Sequence, residues 1–596
     1  MNEFRVWAPE ARMMRLRFGA DPASMQSYPM SQQRSGWWRV AVVNASKTAE
    51  YAFEIDGEKP LPDPRSLWQP HGVHGASRLY DHSLFSWTDR SWQAPPLSSA
   101  VIYELHIGTF TPEGTFDSAI ARLDHLTGLG VTHVELMPVA EFPGSRGWGY
   151  DGVDLFAPHH AYGGPDGLKR LVDACHQRGL AVLLDVVYNH LGPDGNYLGR
   201  FGPYFTQKYS TPWGSAINLD DAGSSEVRRF FCDNALMWLR DYHFDGLRLD
   251  AIHAIFDSSA MHFLEQLASE VRALEAETGR HLVVIAESDL NDPKVVTPRE
   301  AGGYGVDAQW SDDFHHALHT VLTGEQAGYY ADFGTLAHLA KALKAVFVND
   351  GCYSGYRRRN HGRAPCGLSG CRFLGFLQNH DQVGNRARGD RSSQIMNLRK
   401  LKIGAALVLC SPFIPLLFQG EEFGASTPFL YFTDHQDPEL GRAVSKGRRE
   451  EFAAFGWKIE DIPDPQNPET FRRSRLDWSE LERAPHTDLL DWYRRLIALR
   501  RSTPALNDGS LERIEVNFDE IHRWFVLNRG PIAVISNLAN SRQTIPIPHP
   551  VTLVLSSEAD VGMETSGEQS SIEMPPESIA IFAAAYDMTG PAEASR

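Results

Sequence analysis

FDGLRLDAIH (residues 244–253) alternates apolar and polar residues as a half-buried strand does, yet Arg248 and Asp250 sit inside the alternation. Successive strand side chains point to opposite faces. Leu247 and Leu249 therefore share one face, and Gly246, Arg248 and Asp250 share the other. Burying two charges one pleat apart is costly unless they are paired or put to use. They form either a structural ion pair or the working end of a site, and the surrounding sequence decides between the two.

Segments of the same kind recur on both sides. VIYELHIG (101–108), THVELMPV (132–139), LAVLLDVVYNH (180–190), LVVIAES (282–288), GVDAQW (305–310), RFLGFLQNHD (372–381) and FIPLLFQG (413–420) all read as short buried strands. Helical patterns lie between most of them, including GLKRLVDACHQRG with Gly179 as its stop, SEVRRFFCDNALMWLRDY and DLLDWYRRLIALRR. The unit after the fifth strand is irregular, because NDPKVVTPREAGG offers only a weak helix. Eight strand–helix units in series predict an α/β fold, a (β/α)8 TIM barrel, over residues 93–507. Inserts at about 188–222 and 421–475 are expected to decorate its upper face. Residues 1–92 carry FRVWA, MRLRFG, WWRVAVV and YAFEIDG, and predict an N-terminal β-sandwich that exits through LPDPRSLWQPHG. Residues 508–596 return to short strands and predict a C-terminal β-sandwich ending in a frayed tail, MTGPAEASR.

The totals exclude several classes of function. With 57 Lys+Arg against 75 Asp+Glu the net charge is −18, which argues against nucleic acid as a partner. No apolar run is long enough to suggest a membrane span, and MNEFRVWAPE lacks the basic and apolar regions of a signal peptide. The six cysteines are scattered without a CxxC pair, so reduced thiols and a cytoplasmic location are expected. His159–His160 and His315–His316 are vicinal pairs without the i, i+4 spacing of a helix-face metal site, and neither a metal nor a cofactor is expected.

Barrel enzymes place their chemistry at the carboxyl ends of the strands. Asp250 ends its strand there, as do Glu287 and Asp381, while Asp185, Asn189 and His190 close LLDVVYNH. Two carboxyl groups flanking a bond suffice for glycoside hydrolysis: one attacks or activates water and the other protonates the departing oxygen. Asp250, beside Arg248, suits an ionised nucleophile, and Glu287, after an apolar run, suits the acid. Asp381 would hold substrate or steady positive charge. Aromatic residues in GSRGWGYDGVDLFAPHHAYGG (144–164) and YLGRFGPYFTQKYSTPWGSAIN (197–218), Trp213 among them, suit stacking on sugar faces.

DVVYNH (185–190), GLRLDAIH (246–253), AES (286–288) and NHD (379–381) resemble, in order and spacing, the four conserved regions of the α-amylase superfamily, glycoside hydrolase family 13. The resemblance implies a retaining mechanism with Asp250 as nucleophile, Glu287 as general acid/base and Asp381 as transition-state stabiliser. It implies that Tyr150, His190, Arg248, His253 and His380 serve the subsite next to the cleaved bond. The stretches TPWGSAINLDDAGS, AQWSDDFHHALH and FLQNHDQVGNRA resemble a branch of the superfamily acting on maltooligosyltrehalose, an α-1,4-glucan oligosaccharide capped by trehalose. Hydrolysis of the α-1,4 bond next to the cap would release trehalose. By the same likeness Asp312, Asp313, His315, Gln382, Asn385 and Arg386 would recognise the capped end, with Asp289 and Asn291 as weaker candidates. The N-terminal sandwich resembles the carbohydrate-binding modules of branching and debranching enzymes. Two alternatives stay open: a glycogen branching enzyme, with the same three carboxylates, and an inactive carbohydrate-binding protein on the same barrel.

Overall fold

The computed structural model describes residues 2–584 except 44, 45, 47, 455–457, 459–461, 567 and 568. The tail MTGPAEASR lies outside the described residues. Eight parallel strands close a barrel: β1 (Ile102–Leu105), β2 (His133–Leu136), β3 (Ala181–Val186), β4 (Gly246–Leu249), β5 (Val283–Ala286), β6 (Ala308–Trp310), β7 (Phe373–Phe376) and β8 (Ile414–Phe418). They pair in chain order, with β8 bonded to β1. This is the (β/α)8 architecture that the strand–helix alternation predicts.

Helix α1 (Gly164–Gln177) follows β2, α2 (Ser224–Asp241) follows β3 and α3 (Phe263–Thr278) follows β4. After β6, β7 and β8 come α4 (Asp312–Thr323), α5 (Leu398–Leu409) and α6 (His486–Ser502). α1 shows why these segments are helical. Leu168, Leu171, Val172 and Cys175 recur at helical spacing and are buried together, and Pro165 occupies the first turn, where its missing N–H costs nothing. The chain leaves the helix through Gly179 at φ +75°, a left-handed conformation that favours glycine. After β5 only the turn Arg299–Ala301 is helical, as the weak pattern there suggested.

The barrel interior is apolar below and polar above. Leu183, Val283, Ile285, Leu374, Phe376 and Leu416 pack among the strands, while Leu247 and Leu249 join the core under the helices. Register places Gly246 beside Leu183 and Val283, and Arg248 beside Asp185 and Ile285. Gly246, Arg248 and Asp250 therefore face inward, as the alternation requires.

The N-terminal sandwich pairs Asn2–Trp7, Trp37–Val42 and Ser31–Gln32 in one sheet. Gln26–Pro29, Met14–Gly19, Glu50–Ile55 and Ser77–Arg78 form the other, and Phe4, Phe18 and Tyr51 meet edge to face between them. The C-terminal sandwich has a five-stranded and a three-stranded sheet around Val526, Ile535, Ile545, Ile572, Met574 and Phe582. All six cysteines are free thiols.

A Cβ on Gly246 would lie 2.4 Å from Val283 Cγ2, 2.6 Å from its carbonyl oxygen and 2.9 Å from Leu183 Cδ2. Gly246→Ala should therefore destabilise the barrel by about 1–3 kcal/mol through overpacking. The unfolding midpoint in denaturant measures this, and an unchanged midpoint would contradict the packing described.

Candidate active site

Arg248 is fully buried at the top of β4, and its guanidinium gathers carboxylates from three strands. Nη1 donates to both oxygens of Asp185 on β3, at 2.9 and 2.7 Å, and to Asp250 Oδ1 at 2.9 Å. Nη2 lies 2.9 Å from Glu287 Oε2 as an ion contact rather than an aligned hydrogen bond. The flat guanidinium also stacks over the Trp310 ring, 4.3 Å from its centre. One cation thus fixes Asp250 and Glu287 relative to each other. The chain turns sharply after Asp250, with Ala251 at φ +37°, and the Ala251 N–H donates to Glu287 Oε2 at 2.7 Å. Backbone strain of this kind persists where the surroundings over-determine it.

Tyr150, from the segment after β2, bridges the groups of the neighbouring strands. Its hydroxyl is 2.6 Å from Asp185 Oδ2 and 2.7 Å from His380 Nε2. Burial pushes Asp185 up, to about 7, against the pull of Arg248. Asp381 is also raised by burial, with the adjacent His380 opposing the rise, and Asn385 Nδ2 donates to its Oδ1 at 3.1 Å. His190 lies flat against Trp213, with ring centres 4.7 Å apart, and Trp213 itself is 48% exposed on the hairpin Phe205–Ile217.

A cleft of about 410 Å³ opens beside Glu287 and Asp381. Asp312, Gln382 and Asn385, which the family likeness singled out, line it. Asp312 is held far above the ordinary carboxylate range by burial and then by Glu287. The other expected residues sit elsewhere. Asp313 is buried and accepts from the backbone N–H groups of Val348 and Asn349 at 2.7 and 2.8 Å, so it pins a loop. Asn291 donates to the same carboxylate at 3.0 Å. His315 is buried against Phe376 and Tyr330, behind the cleft wall. Arg386 pairs with Glu325 at 2.9 Å, and His253 is half-buried on the turn after Asp250. Asp289 does line the cleft, with Arg357 Nη2 3.4 Å away.

The cleft also contains Tyr329, Tyr356, Arg357 and Arg359, which sequence reading missed. The last three belong to the small hairpin Tyr353–Asn360, and its stretch GCYSGYRRRNHG carries an unread signal, arginines clustered with tyrosines between glycines. Among the described residues one group of possible metal ligands, Glu141, His159 and His160, brings a vicinal histidine pair onto one carboxylate. Both Nδ1 atoms already share Glu141 Oε1, at 3.1 and 2.7 Å, a hydrogen-bonded trio that the i, i+4 criterion could not detect.

Replacing Arg248 by Met would leave Asp185, Asp250 and Glu287 around an uncharged centre. Arg248→Met should cost about 3–5 kcal/mol of stability, read as the loss in a denaturant titration, because carboxylates would remain buried without their cation. A variant as stable as the parent would show that the guanidinium does not hold this layer together.

Comparison with known proteins agrees with this fold. A family model described as alpha amylase, catalytic domain, matches residues 79–209, and one described as carbohydrate-binding module 48 (isoamylase N-terminal domain) matches residues 2–70. The malto-oligosyltrehalose trehalohydrolase of Arthrobacter ramosus is 52% identical, covering 89% of this chain and 92% of its own. That of Rhizobium sp. (strain M-11) is 48% identical, covering 98% and 97%. The crystal structure of a provisional alpha amylase from Salmonella typhimurium matches with a TM-score of 0.88 at 38% identity, covering 98% of this chain and 97% of that one. The chain belongs to the malto-oligosyltrehalose trehalohydrolase family, a glycosidase family of the α-amylase superfamily.

Proposed function

We propose that this protein hydrolyses the α-1,4-glucosidic bond between the trehalose end and the maltooligosaccharide of maltooligosyltrehalose, with retention, and releases trehalose. The observation that carries this is Arg248 holding Asp250 beside Glu287, with Glu287 and Asp381 both lining one cleft. A pair of carboxyl groups flanking a glycosidic bond is what retaining hydrolysis needs.

In the first step Asp250 attacks the anomeric carbon on the donor side of the bond. Glu287 gives its proton to the departing oxygen, and trehalose leaves while the glucan stays on Asp250 as an ester. In the second step Glu287, now ionised, takes a proton from water, the hydroxide attacks the same carbon and the Asp250 carboxylate departs. Asp381 steadies the positive charge that develops on the ring in both steps. Tyr150, His190 and Trp213 offer aromatic surface to the donor sugar. Asp312 in its neutral form can donate a hydrogen bond to a sugar hydroxyl, and Gln382, Tyr329, Tyr356 and Arg357 supply the remaining polar and stacking groups of the acceptor side. The reaction needs no further cofactor, and we place it in the cytoplasm.

Maltooligosyltrehalose and plain maltooligosaccharide, incubated separately with the protein, separate this reading from its rivals. Trehalose should appear rapidly from the first and cleavage of the second should be much slower. A branched product from amylose would identify a branching enzyme, and bound glucan without cleavage an inactive carbohydrate-binding protein.

Asp250→Asn and Glu287→Gln should each lower kcat by about a thousandfold or more, with the fold intact by circular dichroism. A near-normal rate in either variant removes that residue from the chemistry.

A further inference from the structure

One interior carboxylate has no part in these steps, yet it binds one of the site's groups twice. Glu104 faces inward from β1 and is 1% exposed. Its Oε1 accepts from His380 Nδ1–H, and its Oε2 accepts from the His380 backbone N–H at 3.0 Å. His380 opens the short helix His380–Gly384, which also carries Asp381. Glu104 therefore fixes the imidazole ring and the start of that helix together.

The charge of the ring follows from counting protons. The neighbours of Asp185 are the Arg248 guanidinium, which can only donate, and the Tyr150 hydroxyl at 2.6 Å. When Asp185 is ionised, Tyr150 gives it the single hydroxyl proton. The Tyr150 oxygen, 2.7 Å from His380 Nε2, must then accept a hydrogen bond from an N–H at that nitrogen. Glu104 accepts at the other nitrogen, so both ring nitrogens carry hydrogen and His380 is an imidazolium. Burial opposes this charge, but Glu104 and Asp381 prevail and His380 is raised to about 9.

The groups that face the ring are Glu104 from β1, Glu135 from β2, Asp185 from β3 through Tyr150, Arg248 from β4, His106 from the turn after β1, and Asp381 from its own helix. Glu135 stands beside Glu104 in register, and neither of its oxygens has a hydrogen-bond partner among the described residues. Burial and then Glu104 push Glu135 far up, which disfavours its charged form, and the two hydrogen bonds to His380 belong to Glu104 alone of the pair. His380 Nε2 lies 3.6 Å from Asp381 Oδ1.

We propose that Glu104 is a positioning residue for the reaction: by clamping both the ring and the backbone of His380, it holds that side chain as an imidazolium beside Asp381 and keeps Asp381 charged and aimed at the bond to be cleaved. What the clamp serves rests on the glycosidase reading, whereas the state of the ring does not.

The test uses the full chain labelled with nitrogen-15 in histidine, with His380→Gln to assign the resonance. The parent's His380 ring should remain doubly protonated at pH 8. In Glu104→Gln, with only Asp381 left as an anionic partner, it should lose its second proton at least about one pH unit below the parent. kcat should fall about tenfold or more with KM changed less than about threefold, and the alkaline limb of kcat should move down by about one pH unit or more. Glu135→Gln should leave the ring titration and the pH profile as in the parent. An unchanged His380 titration in Glu104→Gln, or an equal shift in Glu135→Gln, overturns the proposal. If Glu104→Gln does not fold, a parent ring that is neutral at pH 8 overturns it alone. A parent that cleaves no glucan yet keeps the doubly protonated ring overturns the glycosidase reading and leaves the clamp standing.

Discussion

A single buried guanidinium organises the upper end of the barrel. Arg248 is out of contact with water, and a lone charge there would be untenable. It is tolerable because Asp185, Asp250 and Glu287 surround it, and they in turn are tolerable because of it. The apolar layers beneath it and the loops above it are built around this cluster. Gly246, one pleat below, leaves room for Val283 and Leu183 to close the barrel under the charges.

The periodic parts of this fold were legible because period is a local property. The barrel strands and the helices that follow them repeat patterns that need no knowledge of partners, and so do the four longer strands of the N-terminal sandwich. The C-terminal sandwich was legible only in part. Its strands Gly562–Ser566 and Gln569–Met574 went unread because GMETSGEQSSIEM is mostly polar and scarcely alternates.

The candidate site divides in the same way. Asp250 and Glu287 could be singled out because each directly follows a readable strand. Asp381 reads as the end of one too, but it stands on the short helix His380–Gly384, five residues past Phe376. That Arg248 also holds Asp185 and Glu287 could not be read, because it depends on the register of three neighbouring strands. The contact between Glu104 and His380 joins residues 276 apart in the chain, and VIYELHIG alone gives no hint of it. Asp313 and His315 look equivalent to Asp312 in AQWSDDFHHALH. Only the winding of α4 shows that one carboxylate reaches the cleft while its neighbour ties down a loop.

The N-terminal sandwich grips the barrel insert that ends in the Trp213 hairpin. Trp7 meets Tyr204 edge to face at 5.4 Å and packs against Gly202, Phe53 meets Phe201, and His74 reaches Tyr197 at 2.8 Å and Asp194 at 3.1 Å. A few residues further along, the same insert lays Trp213 on His190. The N-terminal sandwich therefore buttresses the insert that carries Trp213. The position of Trp213 is only as firm as the sandwich that holds the insert carrying it.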